Sequence, residues 1–404
     1  MTIFYVIFIL LAGYYSYKYD RIEEYNSHKQ HRLWLLCGYL ICLTGFSYGL
    51  GADKFTYMSE FENYPKNISE AGDYLWISLF TRGHMPLWVL LNLFCKGTFD
   101  SFYAIQLIES AVVNIAVCYI VSKYTHRYFL FLLIYFFSLK YFIFNCEVMR
   151  EGFAIAFMLW GIHGYLIGKK WLFFLMFLIS LMFHVSACAV LLFPLVHFKL
   201  SWKTLYISIT LSFVFWLASD LLMGKILSLA SGGQGAFAQK AMFYSLQASS
   251  FFGYLRSLLT YLLFPYITMY YMVLFEPSEE MRRRKEKLTA FMVVLAIIAI
   301  AIFPLARFYN YIQIFYLVMF SEFVYTLLWH YEHLVIRIGT SIGTILIMFW
   351  FYFSHYETTD TYYYDFFYPY TCILDEDKSV YFRAIAHDEA VNPQVTDKNT
   401  REIE

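Results

Sequence analysis

The chain has 404 residues, of which 60% are hydrophobic, 22% aromatic and only 15% charged. Soluble domains carry about 25% charged residues, so this composition excludes an ordinary soluble fold, and a formal net charge of zero gives no electrostatic reason to expect a nucleic-acid partner. Apolar runs of membrane-spanning length recur from end to end, which indicates an all-α polytopic membrane protein; a transmembrane β-barrel would show short alternating segments instead.

In chain order, the predicted spans are 2–17, 33–50, 99–121, 128–145, 149–167, 171–184, 187–198, 203–223, 252–274, 288–306, 308–329 and 336–355. That is about 11–12 transmembrane or re-entrant helices. Residues 2–17 lack a basic leading region and a small-residue cleavage site, so they read as a first span and not as a cleavable signal. Two outer loops stand apart. Residues 51–98 hold a short apolar stretch, Pro86–Phe94, suited to the interface, and residues 225–251 hold the glycine-rich run Ser231–Gly235. Residues 1–356 then form one polytopic domain. Residues 357–404 follow as an aromatic interfacial segment around Tyr362–Tyr370 and a polar extracytoplasmic tail.

Basic residues favour the cytoplasmic side of a membrane. This places the connections bearing Lys18, Arg21, Lys29 and Arg32; Lys123 and Arg127; Lys169 and Lys170; Lys199 and Lys203; Arg282 to Lys287; and Arg337 inside, with both termini outside. Residues 171–198 must then cross out and back. At ~1.5 Å per residue they cover only ~42 Å, too little for two crossings of ~30 Å. A short, broken or re-entrant helix near His184 is therefore expected, and broken backbone at membrane depth is tolerated only where it lines a cavity or is buried in protein. In this orientation Asp53, Arg82, His84, Glu147, Arg150, His184, Arg256 and Arg307 all gather at the outer ends of spans. A shared extracytoplasmic cavity accounts for that sorting.

Each of these groups has a plainer reading as well. Arg150 follows Glu147 by three residues, which suits either an ion pair on one helix face or an arginine that binds an anion; the planar guanidinium matches phosphate with two parallel hydrogen bonds. Arg307 in LARFYNY and Arg256 in GYLRS are each, taken singly, arginines snorkelling at an interface. Several at one depth point to a diphosphate. His184 in FHVSA is either a core histidine satisfied by a backbone carbonyl or a phosphate ligand or general base; Ser186 caps or packs. Asp53 and Tyr57 follow a span directly and suit a helix cap or a substrate contact. The seven cysteines are scattered and read as packing residues. No P-loop, dinucleotide fingerprint or HExxH occurs, and neither outer loop holds a DxD-like metal pair, so no cofactor and no metal is expected, and the driving energy must come from the substrate or a gradient.

At these residues the chain resembles the EpsG family, the Wzy-like polymerases of bacterial exopolysaccharide, capsule and O-antigen synthesis. GADKFTYMSEF resembles that family's G-x-D-x-x-x-Y element, MPLWVLLNLF its E-P-L-F-x-x-L-N stretch and EVMREGFAIAF its N-x-x-R-Q-G-x-A helix. FHVSACAVLL matches F-H-x-S-A, ARFYNYIQIF resembles R-x-x-x-Y, and FYPYTCIL resembles the terminal P-Y element. The chain departs from the family at Glu147, Glu151 and Met85, where Asn, Gln and Glu are usual.

The resemblance implies a GT-C-like glycosyltransferase architecture with an outer-face cavity, in the bacterial cytoplasmic (inner) membrane, its active site facing the periplasm or exterior. It implies polymerisation of oligosaccharide repeat units carried on undecaprenyl diphosphate, without a metal, with the lipid diphosphate as leaving group. His184, Asp53 and Glu147 are the rival catalytic bases. Arg150, Arg307, Arg256, Arg82, His84, Tyr57 and Tyr311 are the expected contacts to diphosphate and glycan. The expected partners are the lipid-linked oligosaccharide, membrane lipid, and the chain-length regulator and flippase of the same pathway. An O-antigen ligase, or a flippase or transporter of lipid-linked glycans, are the alternatives. A flippase would carry basic groups through the depth of its cavity, whereas here they gather at one side.

Overall fold

A computed structural model of the chain describes residues 3–80, 84–219, 250–329, 333–352, 362–374, 382, 383 and 385. Among the described residues the fold is helical, with one isolated antiparallel bridge between Ser47 and Cys372. The helices are α1 (Ile3–Tyr19), α2 (Ser27–Gly45), α3 (Lys54–Glu62), α4 (Ile68–Phe80), α5 (Pro86–Phe99), α6 (Phe102–Tyr124), α7 (Tyr128–Phe137), α8 (Lys140–Glu147), α9 (Met149–Leu166), α10 (Lys170–Leu181), α11 (Val185–Leu195), α12 (Trp202–Leu217), α13 (Phe251–Leu274), α14 (Glu279–Ala301), α15 (Asn310–Trp329) and α16 (Leu334–Tyr352). Their starts follow local chemistry. The side chains of Asn26, Ser201, Ser250 and Ser278 accept the backbone N–H groups of Lys29, Thr204, Gly253 and Met281, closing the first turns of α2, α12, α13 and α14. Gly168, at φ +86°, provides the left-handed residue that ends α9.

Outside residues 51–98 the helices fall where the apolar runs place them, with two refinements; residues 51–98, expected as an outer loop, hold the three helices α3, α4 and α5. Among the described residues only Phe102–Tyr124, Phe251–Leu274 and Leu305–Trp329 are each long and apolar enough to cross a membrane; the bent pair α7–α8 makes a fourth if it counts as one span. Ile3–Tyr19, Lys170–Leu181, Val185–Leu195, Trp202–Leu217 and Leu334–Leu346 are apolar but shorter. The expected single span at 128–145 is in fact broken, with an 80° bend between α7 and α8. Leu139 sits at the bend with φ +59°, a left-handed conformation that no continuous helix accommodates.

The length argument at 171–198 is met by a break. α10 has 12 residues, about 18 Å of helix. His184 itself is extended (φ −153°, ψ 131°) before α11 opens as a 3₁₀ turn over Val185–Leu191.

The chain divides into two compact units. The first comprises residues 1–74, 90–156 and 324–404, the second residues 75–89 and 157–323. In the first, α2 packs along α6 and α1 against α7. Gly45 allows the α2–α6 approach, since a Cβ there would lie 2.7 Å from Leu107 Cδ1. At one end of this unit the fully buried Asp20 accepts the N–H groups of Phe129 (3.3 Å) and Leu130 (2.8 Å), capping α7 from a distant segment. Arg127 donates to the backbone carbonyl of Asp20 and, at 2.6 Å, to Glu23. Lys29 donates to the carbonyls of Ile22 and His126.

In the second unit, α14 packs against α12 and α13. Lys287 closes the end of α11 by donating to the carbonyls of Pro194 (3.2 Å) and Val196 (2.5 Å).

Candidate active site

In the first unit, the loop that carries the G-x-D element is held by the C-terminal aromatic segment. Tyr48 N–H donates to Thr371 O, Gly51 N–H to Phe366 O and Ile373 N–H to Phe46 O, at 2.9, 2.9 and 3.0 Å. The fully buried Arg383 spends its guanidinium on three carbonyls: Gly49 and Pro369 at 2.9 Å and Asp365 at 3.0 Å. Phe366, Phe367 and Tyr370 are buried in this unit. Gly51 is required twice over. Its φ is +93°, and a Cβ would lie 2.8 Å from Cys146 O. The clamp fixes where α3 begins, and so where Asp53 and Tyr57 stand.

Arg150 opens α9 beside them. Its guanidinium carbon lies 5.4 Å from the centre of the Tyr57 ring, and Tyr57, Glu60 and Asp53 are within electrostatic reach. The Nε of Arg150 is buried and has no hydrogen-bond partner among the described residues. A guanidinium with an unspent N–H, set beside a tyrosine ring and facing carboxylates it does not clasp, is equipped to take an anionic ligand.

Glu147 does not share a helix face with Arg150. It ends the π-turn Ile143–Glu147, Val148 (φ −104°, ψ 52°) interrupts the helix, and both carboxylate oxygens accept from the Tyr363 hydroxyl, at 3.0 and 3.1 Å. The α8–α9 corner depends on Gly152. A Cβ there would stand 2.3 Å from Phe144 O and 2.8 Å from Glu109 Oε1.

That Glu109 contact marks a pair that sequence reasoning missed. Lys54 and Glu109 are both fully buried and within electrostatic reach of each other. Lys54 Nζ lies 3.8 Å from Met149 Sδ, and neither carboxylate oxygen of Glu109 has a hydrogen-bond partner among the described residues. The signal was present. Glu109 sits mid-helix in an apolar span, where an ionisable side chain is a functional candidate by default.

In the second unit, the site is built around the break at His184. Leu87 N–H donates to Met182 O at 2.9 Å, tying the M-P-L-W stretch to the end of α10. His184 Nδ1 lies 2.6 Å from Ser186 Oγ and accepts the backbone N–H of Ser186 at 3.3 Å. Ser186 Oγ lies 2.9 Å from Tyr311 Oη. Ser186 and Tyr311 are buried and His184 is half-buried. The 3₁₀ turn Val185–Leu191 packs against a second 3₁₀ turn, Phe303–Tyr309, which carries Arg307.

Tyr311, expected as a substrate contact, is thus joined to the histidine through Ser186. Arg307 and Arg256 are exposed and His84 is half-buried in this unit. Arg82, residues 220–249 of the loop at 225–251, and residues 386–404 of the tail lie outside the described residues.

A family model described as the EpsG family matches residues 31–372. No curated protein and no solved structure matches the chain.

Proposed function

The chain belongs to the EpsG family, polysaccharide polymerase-like membrane proteins, and from that membership we propose that it polymerises oligosaccharide repeat units linked to undecaprenyl diphosphate at the outer face of the bacterial cytoplasmic membrane. In this reading a hydroxyl of the acceptor unit attacks the anomeric carbon of the donor glycan. The bond from that carbon to the lipid diphosphate breaks, and the hydroxyl proton passes to a base, with Asp53, Glu147 and His184 as the rival groups.

The observation that carries the reading is Arg150, half-buried beside Tyr57 with its Nε unspent. Negative charge grows on the departing diphosphate, and a donor fixed in advance stabilises that charge without reorganising. Arg307 in the second unit is the next candidate for the same task. A further support is an apolar cavity of about 430 Å³ in the first unit, lined by Phe4, Tyr39, Leu43, Phe46 and Tyr370 among others, whose chemistry suits the hydrocarbon tail of such a lipid.

The test is genetic and biochemical. Arg150→Ala and His184→Ala should each abolish polymer and accumulate single lipid-linked repeat units, with the protein still inserted. Wild-type chain-length distributions in both variants would sink the proposal.

A further inference from the structure

Resting on the polymerase reading above, we infer that His184 acts as a hydrogen-bond donor through Nε2 and not as the proton-abstracting base, and that Ser186 and Tyr311 are positioning residues that hold it in that tautomer. The starting point is a group whose direction cannot be reversed. The backbone N–H of Ser186 can only donate, and its acceptor is His184 Nδ1, in the geometry of a helix N-cap. Nδ1 therefore presents its lone pair and carries no proton.

The other two bonds then follow. Ser186 Oγ, 2.6 Å from an unprotonated Nδ1, must spend its single proton on that nitrogen. Having spent it, Ser186 Oγ can only accept at its 2.9 Å contact with Tyr311, so the tyrosine hydroxyl donates. The chain of donation runs from Tyr311 to Ser186 to His184 Nδ1, and the imidazole proton resides on Nε2.

Abstracting a proton at Nε2 would require the opposite tautomer. An Nδ1–H would point at the Ser186 backbone N–H, setting donor against donor, and would force both hydroxyl bonds to reverse. The arrangement also relates two sequence elements that sit far apart in the chain, since F-H-x-S-A supplies the histidine and serine and R-x-x-x-Y supplies the tyrosine. An N–H held in one direction matches the oxygen of a diphosphate or of a departing phosphate ester.

The test uses the full-length purified protein with a lipid-linked repeat unit. Glutamine carries an N–H close to the position of the histidine Nε2 but cannot act as a base. His184→Gln should therefore elongate at least about tenfold faster than His184→Ala and His184→Asn. Ser186→Ala and Tyr311→Phe should lower turnover about tenfold with little change in KM. Selective ¹⁵N labelling of histidine, read in the wild-type protein and checked against His184→Gln for assignment, should show Nε2 protonated and Nδ1 not.

A His184 spectrum with the proton on Nδ1 overturns the inference whether or not the protein elongates anything. So does a folded His184→Gln that elongates no faster than His184→Ala. If the wild type makes no polymer while Nε2 carries the proton, the functional reading fails and the tautomer stands.

Discussion

Two arginines of the first unit, Arg127 and Arg150, both lie against tyrosine rings, yet the protein uses them differently. Arg127 sits 3.7 Å from the Tyr325 ring centre and commits its two terminal nitrogens to the Asp20 carbonyl and the Glu23 carboxylate. That bond from Arg127 also holds the Glu23 carboxyl below its ordinary value. Arg150 lies 5.4 Å from Tyr57 and has Asp53 and Glu60 only at electrostatic range; the buried Nε does not tell the two arginines apart, so the difference lies at the terminal nitrogens. The first holds a loop between helices closed. The second is left able to bind something else. Burial and an aromatic neighbour are common to both, so what separates a structural arginine from a ligand-binding one is how many of its donors are already used.

This contrast can be broken most directly by removing each guanidinium. Arg150→Ala should reduce elongation by about 100-fold or more, with stability changed by less than about 1 kcal/mol; Arg150→Lys should still lose about tenfold, because an ammonium cannot reproduce the fork. Arg127→Ala should do the reverse, lowering stability by about 2–3 kcal/mol with little change in rate per folded molecule. Thermal melting and elongation measured on the same preparations decide it, and a matching loss in both variants would erase the distinction. Gly152→Ala tests the corner that aims Arg150. The clash with Phe144 O should lower stability by about 2 kcal/mol, and elongation should fall with it.

Asp20 sharpens the structural side of the comparison. Burial raises its carboxyl to about 6, against the hydrogen bonds from Leu130, Ser16 and Phe129 that pull it down. The folded state therefore holds that proton more tightly than the unfolded chain does. The group's contribution is complete below pH ~4 and is lost as pH rises through ~6, on the order of 2 kcal/mol. Melting in detergent should fall over that window, and Asp20→Asn, which keeps an acceptor for the cap, should flatten the profile. Tyr363→Phe should have the smallest effect, about 1 kcal/mol, by removing the hydroxyl that Glu147 accepts.

The helices themselves were legible in the sequence, because a run of apolar residues is nearly all that a membrane helix requires. The break at His184 was legible as well, from a length too short for two crossings. The bend at Leu139 was not. An ordinary leucine in a left-handed conformation is imposed by the packing of α7 and α8 and leaves no mark in composition. Among the site residues, Arg150 and His184 stood out as polar groups in apolar surroundings. Their partners were harder to see. Tyr363 and Arg383 lie more than two hundred residues from the Glu147 carboxylate and the Gly49 carbonyl that they bind, and only the fold supplies that proximity. Glu147 and Arg150 showed the opposite failure, since a spacing of three suggests one helix face and the kink at Val148 removes it.

The central claim is that this protein joins lipid-linked repeat units into polymer, and it is tested most directly by incubating the purified full-length chain in a membrane mimetic with one such unit and no sugar nucleotide. A ladder of products, with lipid diphosphate released for each bond formed and both lost in Arg150→Ala, is the expected result. Movement of the unit across the bilayer with no new glycosidic bond, a single transfer to a lipid A core, or a ladder unchanged in Arg150→Ala would contradict the account.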